Sequence, residues 1–211
     1  MRLWDLPGNL SEIAVISSVT TDDCHRFLHV REQEMAESFL SERRRSEWKA
    51  ARVAAKVLAL RAGLTTTPEA LELASDSGRP HFPERDAVFV SLSHSHGVGA
   101  AAVSLSPIGI DVEAIRPIDP RTTRFYLQPH EEKMALDLHV EDVLIHLWSA
   151  KEAAWKSSSP AQGATLKQTT FSEVARTANG LKASYESGST RGTVESFLIG
   201  SHVLAVARFT R

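Results

Sequence analysis

Apolar positions recur along this chain in two periods, and the switch between them marks out its elements. Short apolar runs at Ile13 to Val19, Val88 to Ser93, Val98 to Ser104 and Ile108 to Glu113 predict strands. Ser41-Glu42 opens a long helical pattern that runs through Ala62, with Gly63 as its natural stop. Helical spacing returns over Pro129 to Leu138 and Asp142 to Ser157. Thr65 to Pro68 reads as a turn, Leu71 to Ala74 as a short strand, and Ser75 to Pro80 as a loop by composition. Arg116 to Pro120 is a linker, and Ser157 to Gln168, small and polar, predicts a mobile loop. From Thr170 to Phe209, short alternating runs around Gly180, Gly188 and Gly200 predict an antiparallel sheet. There is no clear internal repeat, and no apolar stretch approaches membrane-spanning length.

The long helix carries a feature of its own. Val53, Ala54, Ala55, Val57, Leu58 and Leu60 make it apolar over most of its circumference, yet Arg45, Lys49, Arg52 and Lys56 form one stripe at helical period. Such a stripe is either the solvated face of a surface helix or a clamp for phosphates, which guanidinium groups bind bidentately. Stripe geometry alone does not choose. Bulk charge does not help, because 24 basic residues face 26 acidic ones. That balance gives no case for nucleic acid or a membrane surface as partner. The 211 residues suit one large domain or two small ones, and 42% hydrophobic with 24% charged is ordinary for a soluble protein. Cys24 is the one cysteine, so no internal disulfide forms and a reducing compartment is expected. Met1 to Leu10 lacks the basic-then-apolar order of a signal peptide, which points to the cytoplasm.

The chemistry concentrates in two acidic motifs. In Gly109-Ile110-Asp111-Val112-Glu113, a strand would point Asp111 and Glu113 to the same face. In Trp148-Ser149-Ala150-Lys151-Glu152-Ala153-Ala154-Trp155-Lys156, a helix makes Glu152 and Lys156 neighbours. Taken singly, these are the charged face of an edge strand, a helix-stabilising ion pair and two core tryptophans. Taken together they are three carboxylates beside a lysine. Hard oxygen donors of that kind suit Mg²⁺, which shares its shell with substrate phosphates, and they accept Mn²⁺ as well. Ser93 and His94 lie where one strand gives way to the next, a place for anion binding or for an ordinary polar hairpin. Gly78-Arg79-Pro80 is common turn chemistry. No zinc-ligand spacing, nucleophile elbow or phosphate-binding glycine loop of the P-loop kind is present.

The order of these motifs resembles the 4′-phosphopantetheinyl transferases of the surfactin-synthetase-activating (Sfp) type. That family's pattern joins a Gly-(Lys/Arg)-Pro loop, a Ser-His segment, Gly-Xaa-Asp-Xaa-Glu and Trp-Xaa-Xaa-Lys-Glu-(Ala/Ser)-Xaa-Xaa-Lys. Here these are Gly78-Arg79-Pro80, Ser93-His94, Gly109 to Glu113 and Trp148 to Lys156. The helix with Arg44, Glu47, Trp48 and Arg52 is similar to the family's Arg-rich helix, so the resemblance spans about Arg44 to Lys156.

The resemblance implies an α+β fold of two similar subdomains related by a pseudo-twofold axis, over residues 1–107 and 108–211, with the active site between them. It implies an enzyme that moves the phosphopantetheine arm of coenzyme A to a serine of an apo acyl or peptidyl carrier protein, releasing 3′,5′-ADP. Asp111, Glu113 and Glu152 would hold Mg²⁺ against the coenzyme A diphosphate. Arg44, Arg52, Ser93 and His94 would receive its phosphates, and Gly78, Arg79 and Pro80 would line its adenine. Lys156 would contact the diphosphate and protonate the leaving group. On a straight helix Arg44 and Arg52 stand about 80° apart, so Arg45 stays open as the partner of Arg52. The base that activates the carrier serine is either Glu131, in Tyr126 to Glu132, or a metal-bound water; Glu131 also suits a plain helix start. The two-half type implies a monomer. The carrier itself leaves no pattern in the sequence.

Overall fold

The computed structural model describes all residues except 5, 7–9, 76–77, 159–164 and 211, and the side chain of 136. The chain divides into two compact units, Met1–Ser106 and Pro107–Arg211. In each, helices pack on an antiparallel sheet in which the first long strand pairs with the last strand.

The first unit holds β1 (Arg2–Leu3), β2 (Ile13–Ser18), α1 (Thr21–Phe27), α2 (Val30–Glu37), α3 (Glu42–Arg61), β3 (Phe89–Ser95) and β4 (Val98–Ser104). Its sheet runs β1-β2-β4-β3, antiparallel throughout. Ser41 caps α3 by accepting from the Arg44 amide, and Gly63 leaves it at a φ of 68°, which favours glycine. From Ala50 to Ala59, α3 is buried at every position. Gly99 of β4 explains how closely it sits. A Cβ at 99 would stand 2.7 Å from Ala50 Cβ and closer still to the backbone of Ala50 and Ala51.

The charged stripe of α3 is neither a solvated face nor an open row of cations. It is zipped to the acids of α2. Lys49 Nζ lies 2.9 Å from Glu37 Oε1, Arg45 Nη1 3.3 Å from Glu37 Oε2, and Lys56 Nζ 2.6 Å from Glu32 Oε2. Helices α1 and α2 have no counterpart in the hydrophobic pattern. Both are short and are held by capping boxes, Thr20 with Asp23 and His29 with Glu32. The expected strand at Leu71 to Ala74 is a single bridge, Ala74 to His81, preceded by a 3₁₀ turn at Pro68–Ala70. The expected loop over Ser75 to Pro80 falls partly outside the described residues.

The second unit holds β5 (Ile108–Ala114), α4 (Pro129–Asp137), α5 (Val143–Ser157), β6 (Thr169–Thr177), β7 (Gly180–Ser187), β8 (Thr190–Ile199) and β9 (His202–Phe209). Its sheet order is β5-β9-β8-β7-β6, again antiparallel. Gly188 and Gly200 take the positive φ of the tight turns, while Gly180 starts β7. Helix α5 lies across the sheet with Ala150, Ala153 and Ala154 fully buried. Half of the loop expected at Ser157 to Gln168, residues 159–164, lies outside the described residues; its end, Leu166–Gln168, is a 3₁₀ turn.

Gly99→Ala drives a methyl into the α3 backbone, which no side-chain rotation relieves. It should lower unfolding free energy by about 1–3 kcal/mol, as overpacking does. Chemical denaturation measures this, and a midpoint unchanged from wild type would show that α3 is not held against β4 as described.

Candidate active site

In the second unit, β5 and α5 supply the acidic cluster. Strand β5 is the edge of its sheet, bonded to β9 with Asp111 opposite Ala205 and Glu113 opposite Val203. Asp111 and Glu113 share a face by strand alternation. What seats α5 over that face is Gly109. A Cβ there would lie 2.7 Å from Ser157 N and inside the carbonyl oxygen of Ala153. With glycine, helix backbone rests on strand backbone, and the side chains of α5 reach β5 directly.

Three contacts follow along the seam. Lys156 Nζ donates to Asp111 Oδ1 at 2.8 Å and to the Ile110 carbonyl at 3.2 Å. Trp148 Nε1 donates to Glu113 Oε1 at 3.2 Å. Trp148 is itself held edge-on by Tyr126, with ring centroids 5.0 Å apart. So Trp148 is half core residue and half hydrogen-bond donor to the cluster, a role its sequence did not disclose. Glu152 completes the set. Burial holds its carboxyl above the usual range; Lys156 opposes this, while the like charges of Asp111 and Glu113 add to it. Glu152 thus feels the charge of two other carboxylates and of the Lys156 ammonium.

That donor set fits a hard divalent cation in kind: oxygen ligands only, with mutual repulsion that a cation would relieve. Among the described residues, no three His, Cys, Asp or Glu side chains already converge as a formed metal cage. Asp111 is instead bonded to Lys156 and Glu113 to Trp148.

Glu131 stands apart from this cluster. It is fully buried, ion-paired to Lys151 at 2.6 Å, and accepts from the amides of Gln128 and Phe171 at 2.6 and 2.5 Å. Lys151 is equally buried and also donates to the Thr169 carbonyl. The helix-start reading of Glu131 therefore describes what it does here, and its carboxylate has no exposed surface on which to meet a substrate hydroxyl.

The first unit gathers the cations. Arg44 is exposed, its guanidinium 5.7 Å from the Phe39 ring centroid. Arg45 is tied down by Glu37 and by the Phe39 carbonyl at 2.9 Å. Arg52 is 5% exposed, stacked 3.7 Å over the Trp48 ring, 3.4 Å from Glu32 and donating to Ser75 Oγ at 3.0 Å. Burial pulls its pKa down to about 10, with Glu32 working against the fall. Arg52 and the fully buried Lys56 share Glu32, two cations on one carboxylate. His94 belongs to β3 rather than to a loop, because the strand runs on to Ser95 and the turn is His96-Gly97, both at positive φ. Glu47 of α3 accepts from the Gly97 amide at 2.7 Å and lies 3.4 Å from His94 Nδ1. It clamps the hairpin and aims the imidazole. Ser93 is buried on the same strand, and Gly78, at a φ of 83°, precedes the exposed Arg79 and half-buried Pro80. A cleft of about 580 Å³ in this unit is lined by Cys24, Val30, Glu34, Arg45 and Lys49 among others, and not by Arg44 or Arg52.

The first unit thus carries a group of cations around α3, and the second a group of carboxylates along β5 and α5. Comparison with known proteins identifies the family. The model of the 4′-phosphopantetheinyl transferase superfamily matches residues 107–207, and that of the 4′-phosphopantetheinyl transferase N-terminal domain matches residues 32–104. The chain belongs to the 4′-phosphopantetheinyl transferase superfamily, of the surfactin-synthetase-activating type. It is 29% identical over 102 residues to the 4′-phosphopantetheinyl transferase ffp of Bacillus subtilis, and 31% over 98 residues to another 4′-phosphopantetheinyl transferase of that organism. It is 34% identical over 80 residues to the 4′-phosphopantetheinyl transferase psf-1 of Bacillus pumilus. These matches cover 47%, 45% and 36% of this chain and 45%, 43% and 34% of the relatives, under half of each.

Glu152→Gln removes a carboxylate whose charge costs the folded state something at neutral pH, since its raised pKa means the ionised form is disfavoured by folding. The metal-free variant should therefore melt at or above the wild-type temperature at pH 7, while Mn²⁺ binding, followed by electron paramagnetic resonance, should weaken at least about tenfold. Undiminished Mn²⁺ binding would remove Glu152 from the ligand set.

Proposed function

We propose that this protein transfers the 4′-phosphopantetheine arm of coenzyme A to a serine hydroxyl of an apo acyl or peptidyl carrier protein, with Mg²⁺. The observation that carries the reading is the placement of Asp111, Glu113, Glu152 and Lys156 along one β5–α5 seam, inside the segment that matches the superfamily model.

In the reaction, the serine oxygen forms a bond to the phosphorus that carries the pantetheine arm. The bond from that phosphorus to the bridging diphosphate oxygen breaks, and 3′,5′-ADP leaves. Such transfers depend on alignment and charge neutralisation more than on covalent help. Asp111, Glu113 and Glu152 would hold Mg²⁺, which when bound neutralises charge on the diphosphate. Lys156, 23% exposed at its side chain, would meet the leaving oxygen and supply its proton. Glu152, buried beside Lys156, would be the third carboxylate on that metal, and the serine proton would pass to a water at the site.

The cations of the first unit would bind the rest of coenzyme A. Arg44 is exposed and has the reach for a phosphate. Arg52 and Lys56 share one carboxylate, so an anion beside Arg52 would balance the surplus charge. His94, steadied by Glu47, adds a donor, and Ser93, Gly78, Arg79 and Pro80 are the proposed adenine and phosphate surround. No described helix is long and apolar enough to cross a membrane. Cys24, the one cysteine, is buried and free. The proposal is of a monomer acting in the cytoplasm.

Intact-protein mass spectrometry of apo carrier mixed with this protein, coenzyme A and Mg²⁺ tests the proposal. The carrier should gain the mass of one phosphopantetheine arm, and chelation should abolish the gain. No gain on any of several acyl and peptidyl carriers, with coenzyme A still bound, would contradict it. Arg44→Ala should raise the coenzyme A KM several-fold, about 1 kcal/mol of binding, and leave kcat and thermal midpoint unchanged. A loss confined to kcat would take Arg44 out of the phosphate contacts.

A further inference from the structure

The two units bury charge by the same design. In the first, α2 starts at the cap residue His29. Glu32, three residues on, accepts from the His29 amide at 2.9 Å and from Lys56 Nζ of α3 at 2.6 Å. Lys56 also donates to the carbonyls of Pro68 and Leu71. In the second, α4 starts at the cap residue Gln128. Glu131, three residues on, accepts from the Gln128 amide at 2.6 Å and from Lys151 Nζ of α5 at 2.6 Å. Lys151 also donates to the Thr169 carbonyl. Lys56, Lys151 and Glu131 have no exposed surface, and Glu32 has 4%. Each unit therefore uses the third residue of a short helix to cap that helix and to hold a buried lysine of its long helix.

The first-unit copy lies far along the chain from the carboxylates of β5 and α5. Its presence there marks the device as structural. In the second unit the lysine it holds is the residue just before Glu152. An α-helix turns about 100° per residue, so whatever fixes Lys151 fixes the direction in which Glu152 points. Lys151 is fixed three ways: by Glu131 on α4, by Thr169 at the start of β6, and by the Phe171 ring, whose centroid lies 4.6 Å from Nζ.

We infer that Glu131 and Lys151 are a positioning pair for the transfer reaction, setting the rotation of α5 that brings Glu152 and Lys156 over Asp111 and Glu113, and that Glu131 is not the base for the carrier serine. The inference rests on the transferase reading, and it separates from that reading because it makes a claim about the metal-free fold.

The test is a double-mutant cycle read by thermal unfolding without metal and by carrier modification. Breaking a buried pair from one side leaves an uncompensated charge, whereas removing both charges is close to neutral. Lys151→Met keeps the Glu131 carboxylate, yet it should lower the melting temperature and cut kcat about tenfold or more, with the coenzyme A KM within about twofold. Glu131→Gln should do the same. The double variant Glu131→Gln/Lys151→Met should melt above either single variant and recover kcat to within about fivefold of wild type. Wild-type kcat in Lys151→Met would overturn the inference. So would a folded double variant no faster than Glu131→Gln alone, since that would make the Glu131 carboxylate chemically necessary. If the double variant does not fold, Lys151→Met still decides through its turnover. A failure of the transferase reading itself would show as wild-type protein that modifies no carrier, with the melting order of the cycle unaffected.

Discussion

The approach of α5 to β5 at Gly109 is the constraint on which the acidic site depends. Glycine lets the carbonyl of Ala153 and the amide of Ser157 lie against the strand. At that distance a lysine from one element reaches a carboxylate and a carbonyl of the other, and a tryptophan reaches the second carboxylate. A methyl group at position 109 would lift the helix and open all three contacts together. The buried alanines of α5 serve the same end from the helix side, because only small side chains let a helix ride this low on a sheet. Site and core are thus one piece of packing, seen from two directions.

The first unit repeats that solution with Gly99 of β4 against Ala50 and Ala51 of α3. It repeats the buried glutamate–lysine pair as well. What differs is the chemistry displayed. Around α3 the surplus is cationic, Arg44 at the surface and Arg52 beneath it stacked on Trp48. Around α5 the surplus is anionic. One way of packing a helix on a sheet carries opposite charge in the two units.

Some of this was legible in the sequence for local reasons. Ser41 and Gly63 bound α3 because capping and positive φ are properties of single residues. The alternation in β5 and the helical spacing of Trp148, Glu152 and Lys156 placed the carboxylates and the lysine on facing elements. The rest depended on partners distant in the chain. The stripe of α3 looked open because Glu32 and Glu37 sit on α2, a helix with no apolar period of its own. The ion pair of Glu131 could not be read because its lysine is twenty residues away in the chain. His94 was read as a loop residue because the two-residue turn at His96-Gly97 lets β3 run on to Ser95. Glu47, which holds that hairpin, was visible as part of a motif but had no task until β3 and β4 were folded against α3.

The central claim is that the β5–α5 seam holds a divalent cation against the diphosphate of coenzyme A. Phosphorus-31 relaxation of coenzyme A bound to this protein, with Mn²⁺ in place of Mg²⁺, addresses it most directly. The two diphosphate signals should relax much faster than the 3′-phosphate signal, and Glu152→Gln should abolish the difference. Equal relaxation of all three phosphorus signals, or a difference that survives Glu152→Gln, would contradict it.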